Sequence, residues 1–239
     1  MNIMQTWKTD KVPDRWKMSP KSIKNLMPDW NYVLMTDADN LDFVRRYFPG
    51  YLERFKMLKY PIQRADVIRY MYLYINGGIY IDLDYELKKS LAPLLTSHSL
   101  FFVRSPNIGK CFTNSLMASD KLNKFWLSVI DECFKPVTKI LGKHYHVMFT
   151  TGPVMLTRMI NRLKPDFHEV KRSLVAPCSV CNLKCDASKT SYAIQLPGSS
   201  WISWDSRIYL CLLCSFDKII MFLLLIVIIG LVLRLYFKS

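Results

Sequence analysis

The chain has 239 residues, 51% of them apolar, enough for one sizeable domain with a real core or for two small ones. Its 33 basic and 19 acidic residues give a net charge of +14, which favours an anionic partner: nucleic acid, an acidic membrane face or a phosphorylated small molecule. The Lys and Arg residues are scattered rather than gathered into one run, which argues against a nucleic-acid-binding arm. In chain order, "NYVLMTDADN" predicts a short strand, Tyr32 to Met35, running into a polar turn. Residues 40–56 predict a helix, with Leu41, Val44, Tyr47 and Phe48 recurring on one side. Pro61 suits the first turn of a second helix that reaches about Ile75, and Asn76-Gly77-Gly78 ends it. A strand follows from Ile79 to Leu83. "LNKFWLSVIDECF" predicts another helix, and "TTGPVMLTRMINRL" a turn feeding one more. Alternating helices and strands make α/β the expected class, in one domain over about residues 1–207.

Residues 208–239 form a different kind of segment. From Ile219 to Leu233, "IIMFLLLIVIIGLVL" carries no polar side chain; Lys218 flanks it on one side, Arg234 and Lys238 on the other. As a helix the run reaches about 22 Å, short of a ~30 Å bilayer core, and snorkelling flanks extend it. The expectation is one C-terminal transmembrane helix that anchors a single-pass membrane protein. "MNIMQTWKTDKVPDRW" contains no apolar signal stretch, so a lone C-terminal anchor would by default leave the domain in the cytosol. Arg234 and Lys238 favour the opposite topology, a cytosolic tail and a lumenal domain. Five of the seven cysteines cluster late, at Cys178, Cys181, Cys185, Cys211 and Cys214. Zinc, disulfides and lipid-modified thiols all fit that cluster.

The chemistry points to "GGIYIDLDYE". In a strand, Ile79, Ile81 and Leu83 face one way and Tyr80, Asp82 and Asp84 the other. Two carboxylates about 7 Å apart on one face repel unless a cation lies near. A hard divalent ion such as Mn²⁺ or Mg²⁺, shared with phosphates, is the usual answer. Upstream, Asp66 and Arg69 are neighbours on a helix face, and their spacing equally fits a simple intrahelical ion pair. The acids alone leave three readings open: a nucleotide-sugar transferase, a dehalogenase-like phosphatase and a metal-dependent nuclease.

The longer stretch "QRADVIRYMYLYINGGIYIDLDYE" resembles the DXD region of glycosyltransferase family 32, which includes yeast α-1,6-mannosyltransferases and inositol-phosphoceramide mannosyltransferases. "MQTWKT", "PDWNYVLMTDAD", "TTGPVMLT" and "GSSWISWDS" resemble further segments of that family in order, over most of residues 3–207. The resemblance implies a GT-A fold with a Rossmann-like nucleotide-sugar-binding domain and a retaining, metal-dependent transfer. It implies that Asp82 and Asp84 approach the Mn²⁺ or Mg²⁺ and the donor's ribose and diphosphate. Asp66 and Arg69 would contact the donor sugar or ribose. Gln5, Thr6 and Trp7 would lie by the nucleotide, and Ser199, Ser200 and Trp201 would close over the diphosphate. Gln195 stands where the family usually has a His that is a candidate third metal contact, and Ile202 where it often has another. Family analogy favours GDP-mannose as donor, with a UDP-sugar behind it, and a glycan or glycolipid acceptor at a Golgi or ER-type membrane, with no nucleic acid. A membrane-anchored protein that binds nucleotide sugar without transferring it is the alternative. His144 and His146 are expected in structural or surface roles, with acceptor binding the sharper option.

Overall fold

The computed structural model describes residues 1–95, 98–105, 111–136, 142–178, 181, 190–198, 200–215, 220 and 226. The strands are β1 (Asn2–Thr6), β2 (Asn31–Met35), β3 (Gly78–Ile81), β4 (Tyr85–Leu87), β5 (Leu100–Arg104), β6 (Phe112–Ser119), β7 (His168–Val170) and β8 (Ala193–Gln195). The helices are α1 (Met18–Leu26), α2 (Asp37–Tyr47), α3 (Leu52–Lys56), α4 (Pro61–Asn76), α5 (Lys124–Cys133), α6 (Lys143–Thr150), α7 (Pro153–Leu163), α8 (Arg172–Val175) and a helix over residues 204–215, here α9.

Six strands form one mixed sheet in the order β2-β1-β3-β6-β5-β7, and β4 pairs with β8 apart from it. β1 runs parallel to both β2 and β3, whereas β6 is antiparallel to β3 and β5. Alternation along the strands divides the core. Met4, Tyr80, Phe102 and Met117 pack with α4, α5 and α7 on one face. Ile3, Ile79, Ile81, Phe101, Val103 and Leu116 pack with Ile23 of α1 and Leu87 of β4 on the other.

Two expected boundaries move, each for a local reason. The single helix predicted over 40–56 breaks, because Pro49 excludes the helical conformation from the residue before it. Phe48 sits at φ −135° and ψ 51°, and the chain restarts as α3. The strand predicted to reach Leu83 ends at Ile81. The Asp82 N–H still donates to the Ser115 carbonyl on β6, but the Tyr85 N–H then closes a turn on the Asp82 carbonyl. Tyr85 begins a new pairing with Gln195. Asp82 and Asp84 therefore lie on a turn, not on a continuous strand face.

α4 is buried around most of its circumference, as its near-continuous apolar run requires. Gly77 and Gly78 carry it into β3 at φ +61° and +87°. A Cβ on Gly78 would lie 2.1 Å from the Asn2 carbonyl oxygen, so the close approach of β1 admits only glycine there. Among the described residues no helix is long and apolar enough to cross a membrane. The expected anchor, residues 219–233, falls outside the described residues except for positions 220 and 226. α9 runs unbroken across the expected domain boundary at residues 207 and 208. In the cysteine cluster, Cys181 and Cys214 form a disulfide, Cys178 is also disulfide-bonded, Cys211 is free and exposed, and Cys185 lies outside the described residues.

Candidate active site

β1 has β2 on one side and β3 on the other, so the connections reverse direction beside it, which is where open α/β sheets hold their ligands. A cavity of about 450 Å³ opens at the carboxyl ends of these strands. Its walls include Thr6 at the end of β1 and Trp7 after it, Asp37 after β2, Asp82 and Asp84 after β3, the first turns of α4, and residues of α6 and α9.

The floor of the cavity is a network of buried charge. Arg69, 4% exposed, reaches Asp66 and Asp82, each at 3.2 Å, and donates to the backbone carbonyls of Asn114 and Ala65. Its guanidinium lies 4.4 Å from the centre of the Tyr80 ring. Asp66 also accepts from Asn114 Nδ2 at 2.9 Å and Thr151 Oγ1 at 2.8 Å. The Tyr80 hydroxyl donates to Asp82. The intrahelical pair that spacing allowed is thus real, and it also ties α4 to the DXD turn. With their polar atoms committed inside the protein, Asp66 and Arg69 shape the floor rather than project from it.

Asp84 differs. Gln195 Nε2 donates to its Oδ2 at 3.1 Å, but its Oδ1 is buried without a partner. Such an orphaned acceptor is costly, and here it belongs to a residue that lines the cavity. Burial, reinforced by the charge of Asp82, pushes the Asp84 pKa from 3.8 to about 7. Burial also raises Asp66 to about 6, against the pull of Arg69, and raises Asp82, whose side chain keeps 30% exposure, against the same pull. Burial opposes the charge on Arg69, yet Asp82 and its neighbours hold that side chain firmly protonated. Three carboxylates around one guanidinium leave an excess of negative charge. Among the described residues no three His, Cys, Asp or Glu side chains converge as metal ligands. Two carboxylates and an amide do meet at the turn, and hard oxygen donors with one vacant lone pair suit a divalent cation.

The raised values carry a sign. A carboxyl whose folded pKa exceeds its unfolded pKa stabilises the fold fully below the unfolded value, and that contribution is lost as pH rises through the folded one. For Asp66 and Asp84 the loss spans pH 4 to about 7. The metal-free protein is expected to lose about 5 °C in melting temperature between about pH 5 and pH 8. Added Mn²⁺ should raise the melting temperature more at the higher pH, because it competes with the proton on Asp84. Differential scanning fluorimetry at both pH values checks this.

The other expected residues divide between wall and support. Thr6 and Trp7 line the cavity, with Trp7 set edge-on to Trp16 at 5.3 Å. Ser200 and Trp201 line the cavity as well, where Trp201 stacks on His144 at 5.4 Å and accepts from Lys143 through its carbonyl. Ser199 lies outside the described residues. Gln5 does not line the cavity: fully buried, it donates to Ser19 Oγ and the Asp82 carbonyl and accepts from the Tyr32 hydroxyl. It braces the DXD turn from below, where the sequence placed it beside the nucleotide. His144 is a buried post: its Nδ1 pairs with Ser206, its ring stacks between Trp201 and Tyr209, and burial lowers its pKa. His146 packs edge-on against Tyr60. Asn114, which holds Asp66, carries no local sequence signal, and Thr151 lies in the "TTGPVMLT" segment without being singled out there; each matters because β6 and the turn before α7 arrive beside α4.

Residues 13–101 match the model of a glycosyltransferase sugar-binding region containing a DXD motif. Inositol phosphoceramide mannosyltransferase 3 of Schizosaccharomyces pombe is 37% identical over 65% of this chain and 43% of its own length. Inositol phosphoceramide mannosyltransferase 2 of the same yeast is 32% identical over 87% of this chain and 59% of its own. The chain thus spans about half the length of these relatives. The fold resembles the ligand-free glycosyltransferase domain from the YGT toxin, with a TM-score of 0.53 over 71% of this chain and 79% of that one at 9% identity. The architecture is accordingly a GT-A-like fold built on a mixed α/β sheet, and residues 13–101 within it are similar to a glycosyltransferase sugar-binding region containing a DXD motif.

Proposed function

We propose that this protein is a metal-dependent retaining glycosyltransferase that moves a hexose, mannose from GDP-mannose, to a lipid-linked or glycan acceptor. The observation that carries this reading is that Asp84, which lines the cavity together with Asp82, keeps a buried carboxylate oxygen without a partner. Asp82 and Asp84, with Gln195 behind them, would hold Mn²⁺ or Mg²⁺, which when bound neutralises the charge that gathers on a departing diphosphate. The remaining work falls to the chain. Arg69 supplies a fixed positive charge that needs no reorganisation as the sugar–phosphate bond lengthens. Asp66 and Asn114 keep that guanidinium in place. Thr6, Trp7, Ser200 and Trp201, all lining the cavity, confine the nucleotide and exclude water. The relatives' names support a mannosyl donor and inositol phosphoceramide as the acceptor class.

The apolar run at 219–233 serves in this reading as a single membrane anchor of Golgi or ER type. The Cys181–Cys214 disulfide supports a lumenal domain, since such bonds persist in oxidising compartments. A second reading, a binder of nucleotide sugar with weak or no transfer, draws on Gln195, which offers Asp84 an N–H where the family usually has His. A donor panel separates the two. With Mn²⁺ and the full-length chain, GDP-mannose should be consumed faster than UDP-galactose or other UDP-sugars, and chelation should stop consumption. Binding of GDP-mannose without turnover, in the presence of a lipid acceptor, would favour the binder; preferential use of a UDP-sugar would move the donor assignment.

A further inference from the structure

The outer face of α9 has the wrong chemistry for a face in water. Trp204, Ile208 and Leu212 follow one another at helical spacing and are 74%, 53% and 54% exposed. The inner face is occupied too: Ser206 is buried against His144, and Tyr209 stacks on the same ring. The apolar surface continues onto α6, where exposed Tyr145 meets Tyr209 and Phe149 meets Tyr145. Five large apolar side chains exposed on two adjoining helices mark an interaction surface rather than ordinary scatter.

We propose that this α6–α9 face docks onto an anionic lipid bilayer and so sets one rim of the cavity at the membrane surface. Three observations choose a bilayer as the occupant. Leu212 stands seven residues before Ile219, where the apolar run begins, so even extended chain holds the two within about 25 Å. Exposed Arg207 flanks the apolar stripe, and Lys218 stands six residues beyond Leu212 in the sequence, on a chain of net charge +14. Cations flanking Trp and aliphatic side chains match the interfacial zone of a membrane with acidic headgroups. Finally, the same two helices line the cavity through Val147, Met148, Tyr209 and Leu210. A lipid acceptor could pass from the bilayer into the cavity along apolar walls without its chains crossing water. The inference deepens the membrane-anchored transferase reading and rests on it.

The test uses the full-length chain reconstituted into vesicles of phosphatidylcholine and phosphatidylserine. The emission of Trp204 is taken as the difference between the full chain and Trp204→Phe. Docking predicts a shift to shorter wavelength, loss of most iodide quenching, and quenching by lipids that carry a nitroxide high on the acyl chain. Ile208→Asp combined with Leu212→Asp should restore iodide quenching while the protein still floats with the vesicles. Co-flotation reports the anchor and Trp204 reports the docking face, so the two can fail separately. A floating protein whose Trp204 stays open to iodide and indifferent to nitroxide lipid overturns the proposal. So does a Trp204 sheltered from both quenchers, which would mean a second copy of the chain covers it. Failure to float overturns the anchor and the docking face together, whereas loss of donor turnover with docking intact would overturn the transferase reading alone.

Discussion

Asp84→Asn is expected to lower Mn²⁺-dependent consumption of the sugar donor by about 10³-fold or more, ~4 kcal/mol of lost transition-state stabilisation. It should do so without unfolding the protein. In the metal-free molecule the Asp84 carboxylate is a liability: Oδ1 has no partner, and burial and Asp82 both oppose its charge. Asn keeps the shape and can still accept from Gln195 Nε2, while its own amide N–H turns toward the cavity. The variant should therefore melt at the same temperature as the parent at low pH and above it near pH 8, and it should no longer be stabilised by Mn²⁺. Asp82→Asn is the contrast. Asp82 is engaged by Arg69 and Tyr80, so its replacement should cost both turnover and stability. Two aspartates one residue apart, opposite in their effect on folding, distinguish a cation site from a structural ion-pair network. If Asp84→Asn kept turnover within about tenfold of the parent, the cation site would have to lie elsewhere.

The features that were legible in the sequence are those fixed by a single local rule. Helix α4 announced itself by Pro61 at its start, a long apolar run and two glycines at its end. Tyr80 and its two isoleucine neighbours alternate across the sheet as their spacing required. What stayed hidden depends on partners far away in the chain. β5 and β6 left no expectation at all, because strands buried on both faces lack the alternation that gives half-buried strands away. The turn that ends β3 at Ile81 follows from β4 finding β8 more than a hundred residues later. Gln5 sits in a motif that the resemblance assigned to the nucleotide, yet its side chain points the other way, into contacts with Ser19 and Tyr32 that only the tertiary fold creates. Helix α6 escaped notice because "KHYHVMFT" has no clean periodicity; its His and Lys serve as docking posts for the segment at residues 201–209.

Arg69→Ala should be the most damaging single change to the fold, costing about 3–5 kcal/mol, a large part of the 5–15 kcal/mol that holds a typical domain together. The side chain is the shared cation of Asp66 and Asp82, and it also donates to two backbone carbonyls and covers the Tyr80 ring. Its removal leaves two carboxylates in a desolvated floor with no positive charge between them. Arg69→Lys should recover only part of the loss, since one ammonium cannot reproduce a fork that serves both sides. Charge pairing and lost packing make different predictions about pH. If uncompensated carboxylates are the cause, they will take up protons, and the penalty read from urea denaturation should shrink between about pH 8 and pH 5. Adding Asp66→Asn should also cost less than the sum of the two single changes, because one stranded charge disappears with it. A penalty that ignored pH and added independently would instead assign Arg69 to packing. The floor of the cavity would then owe its shape to side-chain volume, and the fixed charge invoked for the departing diphosphate would lose its structural support.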